Sequence, residues 1–355
     1  MSKIVVAVSG MNAVDSPGPG VPVIRSLKES KLDLELIGLA YGTLEPGNFM
    51  LDLIENSFLL PYPSSGPEIL LERIRYIHSI RKINVIIPTL DSELDNYITI
   101  STELNTMGIQ IFLPGRKELH TRDKTYLKES LENTGILLPE TFTVQDVSAI
   151  RQVTEELGFP LFVKGVFYEA YLARNYEEAV GYFYAMAGKW GIPVIFQKYI
   201  SGEECNVCAL AKEGEMIGAV VMKKLFLTDK GKAWAGVTIN NEEAKQTSKK
   251  ILQFIKWNSG CELEFIIETK TGKMYLLEIN PRFPAWVYLA TAAGQNLPEA
   301  LLKLSLGETV EPFNSYEVGK VFVRHSWDEI IPMKYIESLT VKGQLLDIEK
   351  GDNHE

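Results

Sequence analysis

The sequence predicts two fold classes in one chain, an α/β region with a parallel sheet followed by an α+β region of antiparallel sheets. Up to about residue 115, short apolar runs alternate with segments of helical spacing, which is typical of parallel strands joined by helices. Beyond residue 121, apolar runs follow one another with turn residues between them, which indicates antiparallel hairpins. The chain has 355 residues, enough for two or three domains with separate hydrophobic cores.

Composition and charge limit the classes of function. Apolar residues make up 46% and charged residues 23%, which is ordinary for a soluble globular protein. The net charge of −10 and the lack of a basic patch argue against a nucleic-acid partner. The opening "MSKIVVAVSG" is too short for a signal peptide or a spanning helix, and no other segment is long enough, so we expect no membrane partner. Three cysteines cannot form a disulfide framework, which favours the reducing cytoplasm.

The first region reads as four strands with helices between them. Strands are predicted over 3–10, 34–41, 84–88 and 109–114, with helices ending near residue 30 and covering 66–82 and 92–108. Ligands of such sheets bind beyond the carboxyl ends of the strands, which selects the loops 9–20 and 89–93. Gly18 and Gly20 do not complete a GxGxxG motif, so the pattern does not favour a nicotinamide site.

The second region begins with a small α+β segment. A helix is predicted over 122–135 and is closed by Gly135. The strand "FPLFVKG" is expected to pair with "YEAYLARN", and Asn175 with Glu178 forms a capping box for the next helix. A larger antiparallel region starts at "VIFQKYI" and includes a helix over 242–257 and a hairpin over 261–280.

Cys205 and Cys208 form a CxxC pair, a spacing that occurs in metal and redox sites. The surrounding "ECNVCALA" has the pattern of a strand, in which residues three apart face opposite sides. We therefore expect both cysteines to be small buried hydrophobic residues.

A row of polar residues stands out in "YLLEINPRFPAW". Glu278, Asn280 and Arg282 occupy alternate positions, so in a strand their side chains share one face. A three-residue loop ending at a left-handed Gly272 would pair Thr269 with Lys273, and therefore Glu264 with Glu278 and Glu262 with Asn280. Opposed carboxylates are destabilising unless a cation lies between them, and this set of oxygen ligands suits Mg²⁺. The alternative is a solvent-exposed face with ordinary salt bridges.

These motifs resemble the ATP-grasp superfamily. "LLEINPR", preceded by the acid of "ELEF", is similar to its metal-binding signature, and "RDK", "FVKG" and "FQKYISGEE" are similar to its nucleotide-binding motifs, in the family's order. The resemblance extends from about residue 3 to residue 343. It implies an ATP-grasp fold with a Rossmann-like pre-ATP-grasp domain over 1–115, a small α+β lid over 116–195, a larger antiparallel-sheet domain over 196–345, and a frayed tail over 346–355.

The resemblance also implies a role for particular residues. Lys124 and Lys164 would hold the phosphates of ATP. The segment "FQKYISGEE" would be the hinge that contacts adenine and ribose, through Gln197, the backbone of Lys198 and Ile200, and Glu204. The cofactor Mg²⁺, or Mn²⁺, would be bound by the signature residues Glu264, Glu278 and Asn280. Arg282 would stabilise the transferred phosphoryl group, with Lys232 as a further phosphate contact.

Two departures from the family pattern bear on function. Many relatives have a glycine-rich flap after the second lysine, whereas "KGVFYEAYLARN" has one glycine and the bulky pair Phe167 and Tyr168. The flap is therefore short or absent, which would leave other residues to cover the γ-phosphate or weaken activity. Biotin carboxylases carry a glutamate and a histidine soon after the strand-end arginine. "RFPAWVYLA" has neither, which argues against bicarbonate chemistry on biotin.

The activity that the resemblance implies is ATP-dependent ligation of a small carboxylate to an amine through an acyl phosphate. An acceptor site is expected beside the N-terminal strand ends, with the candidates Asp91, Glu93, Trp286 and Arg324; core packing is an equal alternative for Trp286. Two rivals stay open: a regulatory or scaffolding protein that binds ATP without turnover, and a small-carboxylate kinase similar to carbamoyl phosphate synthetase. A homodimer is compatible with the resemblance.

Overall fold

The computed structural model describes residues 3–14, 17–123, 125–166, 169–228 and 233–346. The chain divides into two compact units. The first unit comprises Met1–Glu118, Asn206–Glu262 and Asn280–Glu355, and the second comprises Leu119–Cys205 and Leu263–Ile279. Within the described residues, no helix is long and apolar enough to cross a membrane.

The strands and helices are numbered in chain order. The strands are β1 (Ile4–Ser9), β2 (Leu34–Ala40), β3 (Asn56–Leu59), β4 (Val85–Ile87), β5 (Thr141–Val144), β6 (Leu161–Lys164), β7 (Ala170–Ala173), β8 (Val194–Lys198), β9 (Gly202–Lys212), β10 (Glu215–Leu227), β11 (Ala233–Thr238), β12 (Ser259–Glu268), β13 (Met274–Asn280), β14 (Val321–Val323) and β15 (Gln344–Leu345). The α-helices are α1 (Gly20–Lys28), α2 (Pro67–Ile80), α3 (Leu94–Thr99), α4 (Ser101–Thr106), α5 (Arg116–Thr121), α6 (Leu127–Ser130), α7 (Ile150–Leu157), α8 (Tyr176–Trp190), α9 (Glu242–Ile255), α10 (Val287–Ala292), α11 (Leu297–Ser305) and α12 (Met333–Lys342).

A five-stranded sheet in the first unit has the order β15-β3-β2-β1-β4. The pairs β1–β2, β2–β3 and β1–β4 are parallel, which confirms the predicted parallel α/β sheet, and β15 is antiparallel at the edge. Val6 and Val8 of β1 belong to one hydrophobic cluster, whereas Val5 and Ala7 belong to another. Both faces of the sheet are therefore buried, as parallel sheets require.

The sheet differs from the prediction in two places. The segment 109–114 is not a strand, since it forms only a single parallel bridge between Gln110 and Val85. Its neighbour β4 has three residues and is followed directly by Pro88, which leaves few backbone groups for a further strand to pair with. In contrast, the short strand β3 was missed because it is four residues long and begins with two polar residues, Asn56 and Ser57.

The second unit contains a four-stranded sheet of order β5-β8-β6-β7, in which β8 pairs antiparallel with both β5 and β6. The β6–β7 hairpin forms as predicted, with Lys164 opposite Ala170. The cap of α8 is also confirmed, because the Asn175 side chain accepts a hydrogen bond of 2.8 Å from the N–H of Glu178. The helix expected over 122–135 is shorter, since α6 covers only Leu127–Ser130.

A six-stranded sheet has the order β13-β12-β9-β10-β11-β14. Cys205 and Cys208 lie in β9 and are buried, as is Cys261 in β12, which agrees with the packing interpretation. Gly272 adopts the predicted left-handed conformation at the β12–β13 turn, with φ of 70°. The hairpin nevertheless closes one residue earlier than expected, because the N–H of Glu268 donates to the carbonyl of Lys273 at 2.8 Å.

Candidate active site

The two loops selected at the carboxyl edge of the parallel sheet meet in the first unit. The hydroxyl of Thr89 donates to the carbonyl of Ser9, and the N–H of Thr89 donates to the Ser9 hydroxyl, both at 2.9 Å. Gly10 has a φ of +76°, and a Cβ on this residue would lie 2.3 Å from the Thr89 hydroxyl oxygen. Glycine is therefore required for the loops to approach so closely.

Glu93 lies inside this junction and not on its surface. Its carboxylate is fully buried and accepts hydrogen bonds from the hydroxyls of Ser9 and Tyr41. The backbone N–H groups of Thr89 and Leu90 donate to it at 2.8 and 2.9 Å. Burial raises the pKa of Glu93 above its ordinary value, although the four donors oppose this shift. Its carboxylate faces protein donors in the interior, which argues against the predicted contact of Glu93 with substrate.

Glu262 is the centre of a second buried cluster in the first unit. Its Oε1 accepts hydrogen bonds from Asn206 Nδ2 at 2.9 Å and from Trp286 Nε1 at 2.7 Å. Its Oε2 lies 3.3 Å from both Asn280 Nδ2 and Arg282 Nη1. The contact with Asn280 agrees with the expected proximity of these two residues. The Trp286 side chain is 6% exposed, so it packs in the core and also donates a hydrogen bond to Glu262.

Sequence reasoning did not include Glu262 among the site residues. The sequence held one signal for its role, because the predicted hairpin register puts Glu262 opposite Asn280. Its partners Asn206 and Trp286 lie 56 and 24 residues away in sequence, so their convergence on one carboxylate follows only from the tertiary fold.

Arg282 joins this cluster to the loop after β4. Its Nε lies 3.1 Å from Asp91 Oδ1, and both side chains are about one-fifth exposed. The structure thus brings together Asp91, Trp286 and Arg282, three residues selected from the sequence. Arg324 is anchored differently. Its Nε donates to the carbonyl of Ala233 at 2.9 Å, and burial lowers the pKa of its guanidinium.

The second unit places Lys164 beside Gln197. Lys164 Nζ donates to Gln197 Oε1 at 2.7 Å, and Gln197 Nε2 lies 3.1 Å from the Thr141 hydroxyl. A small cavity adjoins this pair and combines polar groups with aliphatic walls. It is lined by Leu127, Lys128, Leu138, Thr141, Lys164, Ile195, Gln197 and Leu277.

The hinge residues follow on from β8. The N–H of Lys198 is engaged by the carbonyl of Glu140 at 2.8 Å, and its exposed ammonium lies 3.7 Å from the Glu140 carboxylate. In the part of the chain that the structure describes, the N–H of Ile200 has no hydrogen-bond acceptor. Glu204 is half-buried in β9. Lys124 and Lys232, predicted to contact phosphate, lie outside the described residues.

Glu264 and Glu278 are half-buried in the neighbouring strands β12 and β13, and Asn280 is the last residue of β13. Among the described residues, no group of three or more histidine, cysteine, aspartate or glutamate side chains could hold a metal. The side-chain oxygens of Glu264, Glu278 and Asn280 are hard donors, the type of ligand that Mg²⁺ prefers.

Comparison with known proteins agrees with this architecture. The model of a family described as "ATP-grasp in the biosynthetic pathway with Ter operon" matches residues 192–323. The carbamoyl phosphate synthase large chain of Agathobacter rectalis is 23% identical over 232 residues, covering 60% of this chain and 21% of that protein. The chain thus spans about a fifth of the length of this curated relative.

Two solved structures share the fold. A biotin carboxylase complex with β-γ-ATP from Campylobacter jejuni has a TM-score of 0.70 at 15% identity, covering 90% of this chain and 74% of that one. N5-carboxyaminoimidazole synthetase from Staphylococcus aureus, complexed with ADP, has a TM-score of 0.68 at 17% identity, covering 90% and 81%. The fold is therefore that of these ATP-grasp structures, and residues 192–323 match an ATP-grasp family model.

Proposed function

We propose that the protein is an ATP-dependent carboxylate–amine ligase that releases ADP and phosphate. The observation that carries this proposal is the polar row of β13 and the residues that follow it. Glu278, Asn280 and Arg282 occupy alternate positions, and Glu264 lies on the neighbouring strand. All four fall within the segment matched by the ATP-grasp family model. A protein that only binds nucleotide has no need of this full set.

ATP is proposed to bind beside the cavity of the second unit. Lys164 and Gln197 line this cavity, and we assign Lys164 to the phosphates and the Gln197 amide to the adenine amino group. The unengaged N–H of Ile200 supports an adenine contact through the hinge backbone. The remaining proposed nucleotide ligands are Lys124, the backbone of Lys198, and Glu204.

Glu264, Glu278 and Asn280 would hold Mg²⁺, or Mn²⁺, which neutralises charge on the β- and γ-phosphates when bound. A substrate carboxylate attacks the γ-phosphate in line and forms an acyl phosphate. Arg282 stabilises the negative charge of the transferred group, with Lys232 as a proposed second cation. An amine then displaces phosphate. The protein contributes mainly orientation and charge stabilisation, which can supply most of the acceleration of such reactions.

A small-carboxylate kinase is the second candidate, because the curated relative is a carbamoyl phosphate synthase large chain. That reading predicts release of an acyl or carbamoyl phosphate instead of an amide. The regulatory alternative rests on the short connection between β6 and β7, which join at Lys164 and Ala170. It predicts nucleotide binding without turnover.

The test is a screen of ADP formation. Purified protein with Mg·ATP is offered each of the common amino acids and small carboxylic acids, singly and in pairs, and ADP, phosphate, AMP and pyrophosphate are measured. The ligase reading predicts ADP and phosphate only when both a carboxylate and an amine are present. AMP with pyrophosphate would contradict the acyl-phosphate mechanism, and binding without turnover in all mixtures would favour the regulatory alternative.

A further inference from the structure

Arg282 is shared by two carboxylates that differ in their access to solvent. Its Nη1 lies 3.3 Å from Glu262, whose side chain is 7% exposed, and its Nε lies 3.1 Å from Asp91, whose side chain is 22% exposed. Arg282 itself is 21% exposed. A ligand that arrives from solvent can therefore reach the side of Arg282 that faces Asp91, while the side that faces Glu262 is enclosed.

Glu262 is fixed in place by its other partners. Asn206 and Trp286 both donate to its Oε1, and Asn280 shares its Oε2 with Arg282. Moving this carboxylate would leave the buried donors of Asn206 and Trp286 without this acceptor, which is unfavourable. Glu262 therefore stays in place and orients the guanidinium, so it is a positioning residue.

Asp91 is more exposed than Glu262. It opens the single 3-10 turn Asp91–Glu93 after β4, and the enclosed carboxylate of Glu93 accepts hydrogen bonds from the backbone just before that turn. The Asp91 carboxylate itself is partly exposed, so solvent weakens its ion pair with Arg282. An anion with more charge than a carboxylate can compete successfully for the same guanidinium.

We propose, on the basis of the ligase function, that an acyl phosphate breaks the Asp91–Arg282 ion pair when it binds to Arg282. The phosphoryl group takes the Nε side of Arg282 and displaces the Asp91 carboxylate. Asp91 is then available to a second ligand while the activated carboxylate is still held. The chemical class of that ligand is a primary amine, which arrives as an ammonium cation at neutral pH and needs a carboxylate partner.

The released Asp91 also takes part in the proton transfer. One proton passes from the ammonium nitrogen to the Asp91 carboxylate, and the neutral nitrogen attacks the acyl carbon. The new C–N bond forms, the C–O bond to phosphate breaks, and the phosphate leaves with the electron pair. The second nitrogen proton leaves with the phosphate as the tetrahedral adduct collapses. Asp91 is freed only when an acyl phosphate is present, so activation of the carboxylate precedes activation of the amine.

The first experiment measures anion affinity and requires no turnover. Acetonylphosphonate, a stable isostere of acetyl phosphate, is titrated calorimetrically into wild type, Asp91→Asn, Asp95→Asn and Arg282→Gln. Asp95→Asn is the matched control, because this substitution removes the same charge only four residues away. Asp95 pairs with the exposed Arg116 at 3.0 Å. The proposal predicts that Asp91→Asn binds the probe about twofold to fivefold more tightly, since the competing carboxylate is gone.

In the same titration, Asp95→Asn is expected to match wild type, and Arg282→Gln to lose measurable binding. Equal or weaker binding by Asp91→Asn than by Asp95→Asn overturns the proposal, whatever the protein turns over. Melting curves of the four proteins show whether any loss of affinity reflects loss of fold.

The second experiment uses a carboxylate identified in the ADP screen and compares two nucleophiles. Hydroxylamine is largely uncharged at neutral pH and needs no base, whereas an alkylamine arrives charged. In Asp91→Asn the ratio of amide to hydroxamate is expected to fall about a hundredfold, in the range of general-base effects, and to recover as the pH rises. An unchanged ratio overturns the role of Asp91. Absence of ADP with every carboxylate instead contradicts the ligase function. The anion titration still tests whether an anion displaces Asp91 from Arg282.

Discussion

Glu93 and Glu262 are both buried carboxylates in the first unit, and each accepts four hydrogen bonds, yet their partners differ. Those of Glu93 are two hydroxyls and two backbone N–H groups, all neutral. Those of Glu262 are a tryptophan, two amides and the guanidinium of Arg282. Glu93 therefore joins loops of the sheet, whereas Glu262 orients an arginine that reaches solvent.

The difference shows why burial alone does not identify a functional carboxylate. An enclosed acid with neutral donors holds backbone segments together, and desolvation raises its pKa. An enclosed acid that orients a partly exposed cation determines where that cation can act. Glu278 and Glu264 are a third kind, half-buried and proposed to hold a metal. The three kinds of acid should respond differently to the same isosteric change.

The largest effect is expected for Glu278→Gln. We expect ADP formation to fall about 100- to 1000-fold, because the site loses one formal charge that would hold Mg²⁺ against the phosphates. Nucleotide affinity should stay within about tenfold, since the change is isosteric and other contacts to ATP remain. Steady-state ADP release and calorimetric titration of Mg·ATP measure the two effects. Glu268→Gln in the same hairpin is the control, and an equal loss there would contradict the assignment.

Glu262→Gln should have the next largest effect, on turnover and on stability together. The amide offers one oxygen where the carboxylate offers two, so Arg282 loses its fixed partner and we expect kcat to fall about 100-fold. KM for ATP should change less than kcat, because Glu262 contacts Asn280 and Arg282 but none of the residues proposed to bind adenine or ribose. Glu262→Asp keeps the charge and should recover part of the rate if the electrostatic interaction matters. If kcat of Glu262→Asp is no higher than that of Glu262→Gln, then Glu262 has a structural role like that of Glu93.

Glu93→Gln should instead lower stability and leave kcat nearly unchanged. The amide group would place N–H donors against the donors around it, and we expect the free energy of unfolding to fall by about 2–3 kcal/mol. Because the folded-state pKa of Glu93 is raised above 4.5, its favourable contribution is complete below pH 4.5 and is lost as pH rises through the folded-state pKa. The stability gap between wild type and variant should therefore narrow as pH rises.

Denaturant titrations of both proteins between about pH 4.5 and pH 8 measure this gap. A gap that widens with pH would mean that the four donors outweigh desolvation and lower the pKa. A loss of kcat as large as that of Glu262→Gln would erase the distinction between the two carboxylates.

The sequence was a better guide to local features than to these clusters. Strands β1, β2 and β4, the Asn175 cap and the left-handed Gly272 are set by residues close together in the chain, and each was predictable. The position of Glu93 was predicted at a strand end, but its burial was not, because Ser9 and Tyr41 reach it from other strands. Likewise, no local pattern shows that Asp91 and Glu262 share one arginine.

The smallest effect is expected in the second unit. There, Lys164 is half-buried and Lys198 is exposed, and substitution of each tests whether burial also separates functional lysines from other lysines. Lys164 lines the cavity and contacts Gln197, so Lys164→Ala should weaken Mg·ATP binding about tenfold, the equivalent of about 1.4 kcal/mol. The Lys198 side chain is exposed and only approaches Glu140, while its proposed adenine contact is made by the backbone. Lys198→Ala should therefore bind Mg·ATP as wild type does. Calorimetric titration measures both affinities. Equal weakening by the two substitutions would indicate general attraction of a polyanion to positive charge, and the assignment of Lys164 to the phosphates would then be wrong.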